Sequence, residues 1–254
     1  MSDLSDRLNP YKMRAQRYKK AAMQAKREGD LDRANAEFEE ARYVMGEAFA
    51  EIESGGRFNA TLVGPVDQAT KDQASELADC WGILGGIYRE EGDIKKAIDA
   101  YDSGYKFEKE PKYEIQSTYN TVNRLVLPLL THPELLKEGG AGISGERLER
   151  PVSELLAEAG QAIEAKWRFM TDPVWALADM VLITTILQTP DAAEWEERFK
   201  AKAQNRFSFD SLRTVLEKLS QAELPIRGRL QEVAGRLEKF VTEKWPPQGF
   251  RSHD

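Results

Sequence analysis

The chain is poor in the side chains that build metal sites and nucleophilic catalytic centres. Its 254 residues include one cysteine and two histidines. Because Cys80 is alone, no disulfide can form within the chain, which fits a reducing compartment, and we expect Cys80 to be a small core residue. His132 precedes a proline and His253 lies near the end of the sequence, and neither has partners at the spacing of a metal site or catalytic triad. We therefore expect no metal, no cofactor and no catalytic residue, and we predict that the protein is not an enzyme.

A long apolar run is also missing. The longest apolar stretch, residues 174–187, contains Asp179 and is too short to span a bilayer, and we interpret it as a buried helix. The opening MSDLSDRLNPYKMRAQ has no apolar run of the kind that a secretory signal needs. The net charge of −7 disfavours general binding to nucleic acid or to an anionic membrane. We expect a soluble, cytoplasmic protein with no membrane partner.

Phosphate-binding loops and catalytic acid pairs are not evident either. The glycine pairs at 55–56 and 139–140 lack the Lys-Ser/Thr that completes a phosphate loop. Carboxylates are abundant at 37–40 and 194–197, where they could in principle form acid–base pairs. Runs of this kind are usually solvated helix faces, and we interpret both in that way.

What the chain does contain is a motif for a helical hairpin between residues 81 and 104. Its members are Trp81, Leu84, Gly85, Tyr88, Gly92-Asp93, Ala97, Tyr101 and Gly104. The first four share one face of a helix, at spacings of three and four. Gly92 is suited to end that helix and Asp93 to cap the next one. Gly85 would let the second helix approach closely, with Ala97 at the crossing and Tyr101 between the helices.

A second copy of the pattern lies at residues 15–48. When Gly29-Asp30 is aligned with Gly92-Asp93, GDLDRANAEFEEA matches GDIKKAIDAYDSG. Ala34 and Phe38 then correspond to Ala97 and Tyr101. A recurring pattern within one chain is much less easily explained by accident than a single motif.

The two copies resemble the tetratricopeptide repeat, a helix–turn–helix unit of about 34 residues. Residues 95–220, including Tyr119-Asn120-x-x-Asn123, are also similar to the repeat-containing "TRAFs-binding" domain of apoptosis-signal-regulating kinases and of bacterial signalling proteins. The resemblance implies an all-helical regulatory or scaffolding module. It does not imply catalysis, since the chain has no Gly-rich loop and no HRD or DFG triplet.

We therefore predict an all-α fold, a tetratricopeptide-like solenoid of helical hairpins with a C-terminal capping helix. Residues 1–9 would be an N-terminal extension, 10–243 a single domain and 244–254 a flexible tail. Within the domain we predict helices at 10–28, from Asp30 to about 53, from about 68 to the turn at 92–93, and from that turn to Pro111. Further helices are predicted at 113–130, from Pro151 through Ile163, at 173–187, at 191–204, from Asp210 through Leu219 and at about 226–243, with a glycine-rich insertion at 131–149. The loop at 54–67 should be ordered, and Pro190-Asp191 and Asp210 should start helices.

A binding groove follows from the resemblance, because the first helix of each such repeat lines the concave face. The residues carried over to that face as a partner-binding groove are Lys19, Met23, Lys26, Arg89, Asn120 and Arg124. Gly82 and Gly86 would leave a hollow for a bulky side chain or a partner helix. Met23 stands where an asparagine follows the lysine in relatives that clamp a C-terminal carboxylate, which argues against that kind of ligand.

Two functions of different classes remain open at this point. The preferred one is a non-catalytic protein-binding scaffold or regulatory subunit that holds an acidic or amphipathic partner segment in the groove. The alternative is a nucleic-acid-associated subunit, because residues 7–27 carry eight cations and no acid. The cations go almost all round that helix, so a solvated face balanced by the acidic second helix is the simpler interpretation.

Overall fold

The computed structural model describes residues 4–54, 64–141, 147–170 and 173–245. Over these residues the regular structure is almost entirely helical, as the sequence predicts. The α-helices are α1 (Leu4–Glu28), α2 (Leu31–Ser54), α3 (Gln68–Glu91), α4 (Ile94–Glu108), α5 (Tyr119–Val126), α6 (Val152–Lys166), α7 (Val174–Leu187), α8 (Ala192–Lys202), α9 (Arg206–Gln221) and α10 (Arg227–Lys244). A two-residue antiparallel pair joins β1 (Gly140–Ala141) to β2 (Arg147–Leu148).

The chain divides into two compact units, and the boundary between them follows Arg124, inside α5. The first unit comprises α1 to α4 and the start of α5. The second comprises the rest of α5 and α6 to α10. The single domain predicted at 10–243 spans both units.

Two helical hairpins, α1–α2 and α3–α4, form the first unit, and their turns have the same chemistry. Gly29 and Gly92 both have positive φ, at 81° and 106°, a conformation that glycine adopts without strain. The side chain of Asp30 accepts a hydrogen bond from the backbone N–H of Arg33 at 3.1 Å, and Asp93 accepts one from Lys96 at 3.1 Å. The predicted roles of glycine and aspartate are therefore confirmed in both hairpins.

The second hairpin packs on the first through α3, which contacts both α1 and α2. Trp81 lies against Phe49 of α2, with 4.6 Å between ring centroids. Cys80 and Ile87 join the apolar core that the two hairpins share. Gly85 is needed where α3 meets α4, because a methyl group there would lie 2.7 Å from the ring of Tyr101.

The first helix is longer than predicted. It begins at Leu4 rather than at residue 10, so Pro10 lies in its second turn. Proline removes one backbone N–H from a helix interior. The earlier start brings Leu8 into the core, where its side chain is fully buried.

The helix predicted at 113–130 is wrong in extent. A short 3-10 turn covers Pro111–Tyr113, α5 covers only Tyr119–Val126, and a second 3-10 turn covers Leu127–Leu130. Glu114 ends the first turn in the left-handed region, at φ 55°. Pro128 is the second residue of the last turn, where it cannot donate the hydrogen bond that would continue α5.

The second unit is built around α7, which contacts α6, α8, α9 and α10. Every residue from Ala176 to Ile186 is buried. The sequence predicts a buried helix here, with Trp175, Ala178, Leu182 and Ile186 on one face. The structure confirms the burial and extends it around the whole circumference, because helices cover α7 on several sides.

In the second unit, the predicted start of α8 at Asp191 is confirmed, whereas α9 begins earlier than predicted. The ninth helix begins at Arg206, and Asn205 caps it by accepting a hydrogen bond from the backbone N–H of Ser208; Asp210 lies within the helix. Asp191 does precede α8, but its carboxylate accepts from the indole N–H of Trp195 at 2.8 Å rather than from the backbone.

Several predicted features fall wholly or partly on residues outside the described ranges. Residues 55–63 of the predicted ordered loop, 142–146 of the insertion and 246–254 of the predicted tail are in this group. The described part of the insertion contains a 3-10 turn at Pro133–Leu136 and the β1–β2 pair.

Candidate functional site

Three of the six predicted groove residues have buried side chains. Lys19 is 4% exposed, Arg89 1% and Asn120 1%. Such strong burial is rare for lysine and arginine unless they are paired. These three side chains therefore belong to a polar cluster inside the first unit.

The other three predicted groove residues lie nearer the surface. Met23 is half-buried and packs against the core of the hairpins. Lys26 is exposed, and its Nζ donates to the backbone carbonyls of Glu90 at 2.9 Å and Glu91 at 3.3 Å, at the end of α3. A cation at this end of a helix also interacts favourably with the helix dipole.

Arg124 is engaged by two side chains of α4. Its Nε lies 2.5 Å from Oδ1 of Asp102, and its guanidinium carbon lies 4.0 Å from the centroid of the Tyr105 ring. The interaction attaches α5 to the second hairpin. Whether any of these residues also contacts a partner stays a prediction.

The hollow predicted at Gly82 and Gly86 is filled from within the first unit. A methyl group on Gly82 would lie 3.1 Å from the ring of Tyr119, and one on Gly86 would lie 3.4 Å from Nζ of Lys19. The ring of Tyr119 also meets that of Tyr101 edge-on, with 5.7 Å between centroids. The prediction of an open hollow was wrong because α5 folds back onto α3 and inserts its first aromatic side chain there.

Arg89 lies at the centre of the polar cluster. Its Nε donates to the carboxylate of Glu90 at 3.0 Å and its Nη1 donates to the amide oxygen of Asn123 at 3.0 Å. Burial works against its charged form, but the neighbouring Tyr101, Tyr119 and Glu90 hold the pKa of Arg89 above its ordinary value. The guanidinium therefore stays charged and connects α3 to α5.

Asn120 and Glu108 fix the start of α5. The amide of Asn120 donates to the backbone carbonyl of Ala78 and to Glu108, both at 2.9 Å. Glu108 also accepts from the backbone N–H groups of Asn120 at 3.1 Å and of Thr121 at 2.8 Å. Burial raises the pKa of Glu108, against hydrogen bonds from Thr121 and Asn120 that lower it. A carboxylate here satisfies N–H groups that a helix N-terminus leaves without partners.

Sequence reasoning found part of this cluster and missed part. The segment Tyr119-Asn120-x-x-Asn123 was singled out through the resemblance to the TRAFs-binding domain, and Asn120 was assigned to the predicted groove. Glu108 and the hydroxyl of Tyr101 were missed. Glu108 ends α4 in a charged stretch, and nothing in the local pattern separates it from a solvated acid.

The cations of the first helix are largely engaged with the second and third helices. Arg7 lies 2.6 Å from Glu51 of α2, and Arg14 lies 3.5 Å from Glu47. Lys12 makes ion pairs with α3, to Glu76 and to Asp79, each at 2.6 Å. This agrees with the interpretation in which the acidic second helix balances the first.

The outer face of α1 is polar where the corresponding face of α3 is apolar. Arg17 and Gln24 align with Cys80 and Ile87 and are exposed, whereas Cys80 and Ile87 are buried against the first hairpin. Charged and polar side chains are typical of the solvent face of a helix, and the remaining cations of α1 fit that interpretation.

The side chains considered for catalysis have ordinary surroundings. Cys80 is buried, and burial raises the pKa of its thiol to about 12, so the thiol is neutral at physiological pH. His132 lies 3.1 Å from Glu134 at the surface, and His253 is outside the described residues. Among residues with described side chains, no group of three or more histidine, cysteine or acidic residues is placed to hold a metal ion.

One acidic residue that was interpreted as part of a solvated run is buried. Glu196 is 3% exposed, and its carboxylate receives a bidentate interaction from Arg236 of α10 and lies 2.7 Å from Nζ of Lys200. Burial works to raise its pKa, but the hydrogen bonds from Arg236 and Lys200 outweigh burial and hold the pKa of Glu196 below its usual value. Glu196 therefore joins α8 to α10 in the second unit.

Within the described part of the chain, no helix is both long and apolar enough to cross a membrane. Comparisons of the chain with models of protein families, with curated proteins and with solved structures found no match.

Proposed function

We propose that this protein is a non-catalytic scaffold or regulatory subunit of the tetratricopeptide type, which binds a segment of another protein. The observation that carries the proposal is the recurrence of one hairpin, with the same glycine–aspartate turn and the same small residues at the helix crossing. Ala34 and Ala97 are both buried, as are Phe38 and Tyr101 one turn later. Stacked hairpins of this kind serve binding in other proteins, because they present extended surfaces on successive helices.

The surface offered to the partner is smaller than the predicted groove. Lys26 and the half-buried Met23 remain accessible on α1, and the half-buried Tyr119 lies where a hollow was expected. A lysine beside partly exposed apolar side chains suits an acidic or amphipathic segment. The charge would steer the encounter and fix the register, and the apolar contacts would supply most of the affinity.

The proposal places the protein in cytoplasmic signalling, as the resemblance to stress-kinase regulatory domains suggests. A nucleic-acid role has weaker support, since Arg7, Lys12 and Arg14 make ion pairs within the chain. Salt dependence would separate the two, because binding through phosphates weakens steeply as salt rises.

The test begins with the full-length chain as bait in its native host, followed by mass spectrometry and purification of the captured partner. Affinity is then measured for the wild type, for Lys26→Glu and for Arg17→Glu. The two cations lie on different faces of α1 and both are exposed. Arg17→Glu should leave melting nearly unchanged, whereas Lys26→Glu also loses hydrogen bonds to the carbonyls of Glu90 and Glu91, so affinity is measured well below the melting temperature of each variant.

The expected result is a loss of affinity on the order of tenfold or more for Lys26→Glu and little change for Arg17→Glu. Equal affinities for all three proteins would place the binding surface elsewhere. If the captured ligand were a nucleic acid and only the Arg17 variant lost it, the alternative function would replace this one.

A further inference from the structure

The first hairpin has an outer face, which is the side of α1 and α2 that points away from α3. On α1, Lys12 and Lys26 bond to α3, and Arg17 lies about 140–180° round the helix from both. On α2, Phe49 packs on α3, and Tyr43 lies about 120° round the helix from it. Arg17 is exposed, and Tyr43 is 64% exposed. Both side chains therefore project from the outer face.

The two helices give the outer face opposite charges. Arg17 of α1 belongs to the stretch from 7 to 27, which contains no acidic residue, whereas α2 exposes Glu39 and Glu40. Neither of these acids, nor Arg17, forms an ion pair with another described side chain. The outer face thus carries a basic stripe and an acidic stripe side by side, with charges that are available to a partner.

An ion pair within the hairpin shows which residues of the two antiparallel helices are level. Arg14 of α1 lies 3.5 Å from Glu47 of α2. Both helices rise by about 1.5 Å per residue, so residues that are one turn closer to the connecting turn are again level. Arg17 is therefore level with Tyr43 and less than one turn away from Glu40 along the hairpin.

We propose that the outer face binds a second copy of this chain, in a dimer whose twofold axis runs parallel to the hairpin. Such an axis lays α1 of each copy antiparallel on α2 of the other copy, at the same level. Each Arg17 then lies against the partner's Tyr43 and within reach of the partner's Glu40. The contact occurs twice, because a twofold interface uses the same surface on both copies.

Charge complementarity identifies a second copy as the occupant. A twofold axis across the hairpin would lay α1 on α1 and α2 on α2, and would bring like charges together. The parallel axis matches the basic stripe with the acidic one in both places, so the face is complementary to itself. A guanidinium on an aromatic ring is attractive, and arginine and tyrosine are both enriched at interfaces. The dimer does not depend on the proposed protein-binding function, which uses Lys26 on the other side of α1.

Sedimentation equilibrium of the full-length chain at low salt tests the dimer. We expect the wild type to change from the monomer mass to the dimer mass as its concentration rises through the micromolar range. Tyr43→Ala and Arg17→Glu should each weaken the dimer on the order of tenfold or more. Arg27→Glu makes the same charge change on α1, about 80° round the helix and about 15 Å further along, and should leave the dimer unchanged.

A pair of charge reversals tests the register. Arg17→Glu brings two carboxylates together at both contacts, and Glu40→Arg brings two guanidinium groups together. Each variant alone should therefore be monomeric. In an equimolar mixture both contacts regain opposite charges, so the two variants should form a heterodimer of about the wild-type affinity. A mixture of Arg17→Glu with Arg27→Glu should give no such recovery.

Thermal melts at low concentration check that each variant folds like the wild type. Affinity for the proposed protein partner, measured well below the dissociation constant of the dimer, reports on the monomer, so Arg17→Glu remains a valid control there. A wild type that stays monomeric at all concentrations would overturn the dimer. So would a mixture of Arg17→Glu and Glu40→Arg that stays monomeric. A monomeric wild type that loses a captured protein on Tyr43→Ala would assign the outer face to that protein instead.

Discussion

The two units of this protein pack their helices together in different ways. In the first unit, the helices meet through small residues, and Gly85 with Ala97 lets long side chains such as Tyr101 pass between helices. In the second unit, the central helix α7 is mostly apolar and is buried on all sides by the other helices. The comparison teaches that the first unit depends on shape at the crossings, whereas the second depends on apolar volume around one helix.

Each unit also contains a buried polar contact that joins two of its helices. The first unit buries a cluster around Arg89 that ties α3 to α5. In the second unit, the buried carboxylate of Glu196 ties α8 to α10. In both units a charged side chain connects helices that the apolar pattern alone would leave loosely specified.

The largest effect should follow from reversing the charge of Arg89. Arg89→Glu would place a second carboxylate beside Glu90 in a buried site, and removing one partner from a buried pair costs about 3–5 kcal/mol. Lys26→Glu, at the corresponding position of the first hairpin, loses two hydrogen bonds to the end of α3 but is exposed, so it should cost less, about 1–2 kcal/mol. Denaturant unfolding of both variants measures the difference, and equal losses would mean that Arg89 is not buried as described.

Shortening a buried side chain of α7 should have the next largest effect on stability. Leu177 is fully buried in the centre of the second unit, and Leu177→Ala should lower the free energy of unfolding by about 2–5 kcal/mol through lost burial and a cavity. Chemical denaturation provides the value. A loss below about 1 kcal/mol would contradict the view that the second unit is held by volume around α7.

In the first unit, replacing a small residue at a helix crossing by a larger one should lower stability. Ala34→Leu and Ala97→Leu should each cost about 1–3 kcal/mol, because both positions lie at buried helix crossings. The two crossings correspond to each other, so similar losses are expected. If melting is unchanged in both variants, the register assigned to the two hairpins is incorrect.

Substitutions in the two glycine–aspartate turns should have smaller and nearly equal effects on stability. Gly29→Ala and Gly92→Ala should each cost about 1–2 kcal/mol, because an L-residue with a side chain is strained at positive φ. No neighbouring atom lies within contact distance of either added methyl group, so the backbone conformation is the sole cause. Thermal melts of the two single variants should agree closely, and a clear difference between them would show that the turns are not equivalent.

The smallest expected effect is on the pH dependence of stability, which should differ between a carboxylate of each unit. The pKa of Glu196 is lowered in the folded state, so its contribution to stability is present above the unfolded pKa of about 4.3 and is lost as pH falls through the folded value. The pKa of Glu108 is raised, so its contribution is present below that unfolded pKa and is lost as pH rises through the folded value.

The free energy of unfolding, measured against pH for Glu196→Gln and Glu108→Gln, separates these contributions. The difference between wild type and Glu196→Gln should shrink on acidification. The difference between wild type and Glu108→Gln should change in the opposite direction. Parallel pH profiles for the two variants would contradict the environments described for these carboxylates.

The sequence by itself determined the helical class and the first unit's hairpins. A repeated glycine–aspartate pair, with alanine and an aromatic residue at fixed distances after it, specifies a local turn and a crossing. Local chemistry of this kind is visible in the residues themselves, because the turn at Gly92-Asp93 is closed by groups only a few positions apart.

The tertiary structure alone decided which of the predicted groove residues are buried and which helices cover α7. Lys19 and Arg89 were predicted on a surface groove, but both are buried, with Lys19 beside Gly86 of α3 and Arg89 bonded to Asn123 of α5. Glu196 stands in a charged run, and Arg236, far away in sequence, makes it a buried link. Burial depends on which distant helices meet, whereas periodicity shows only the face that a helix can bury.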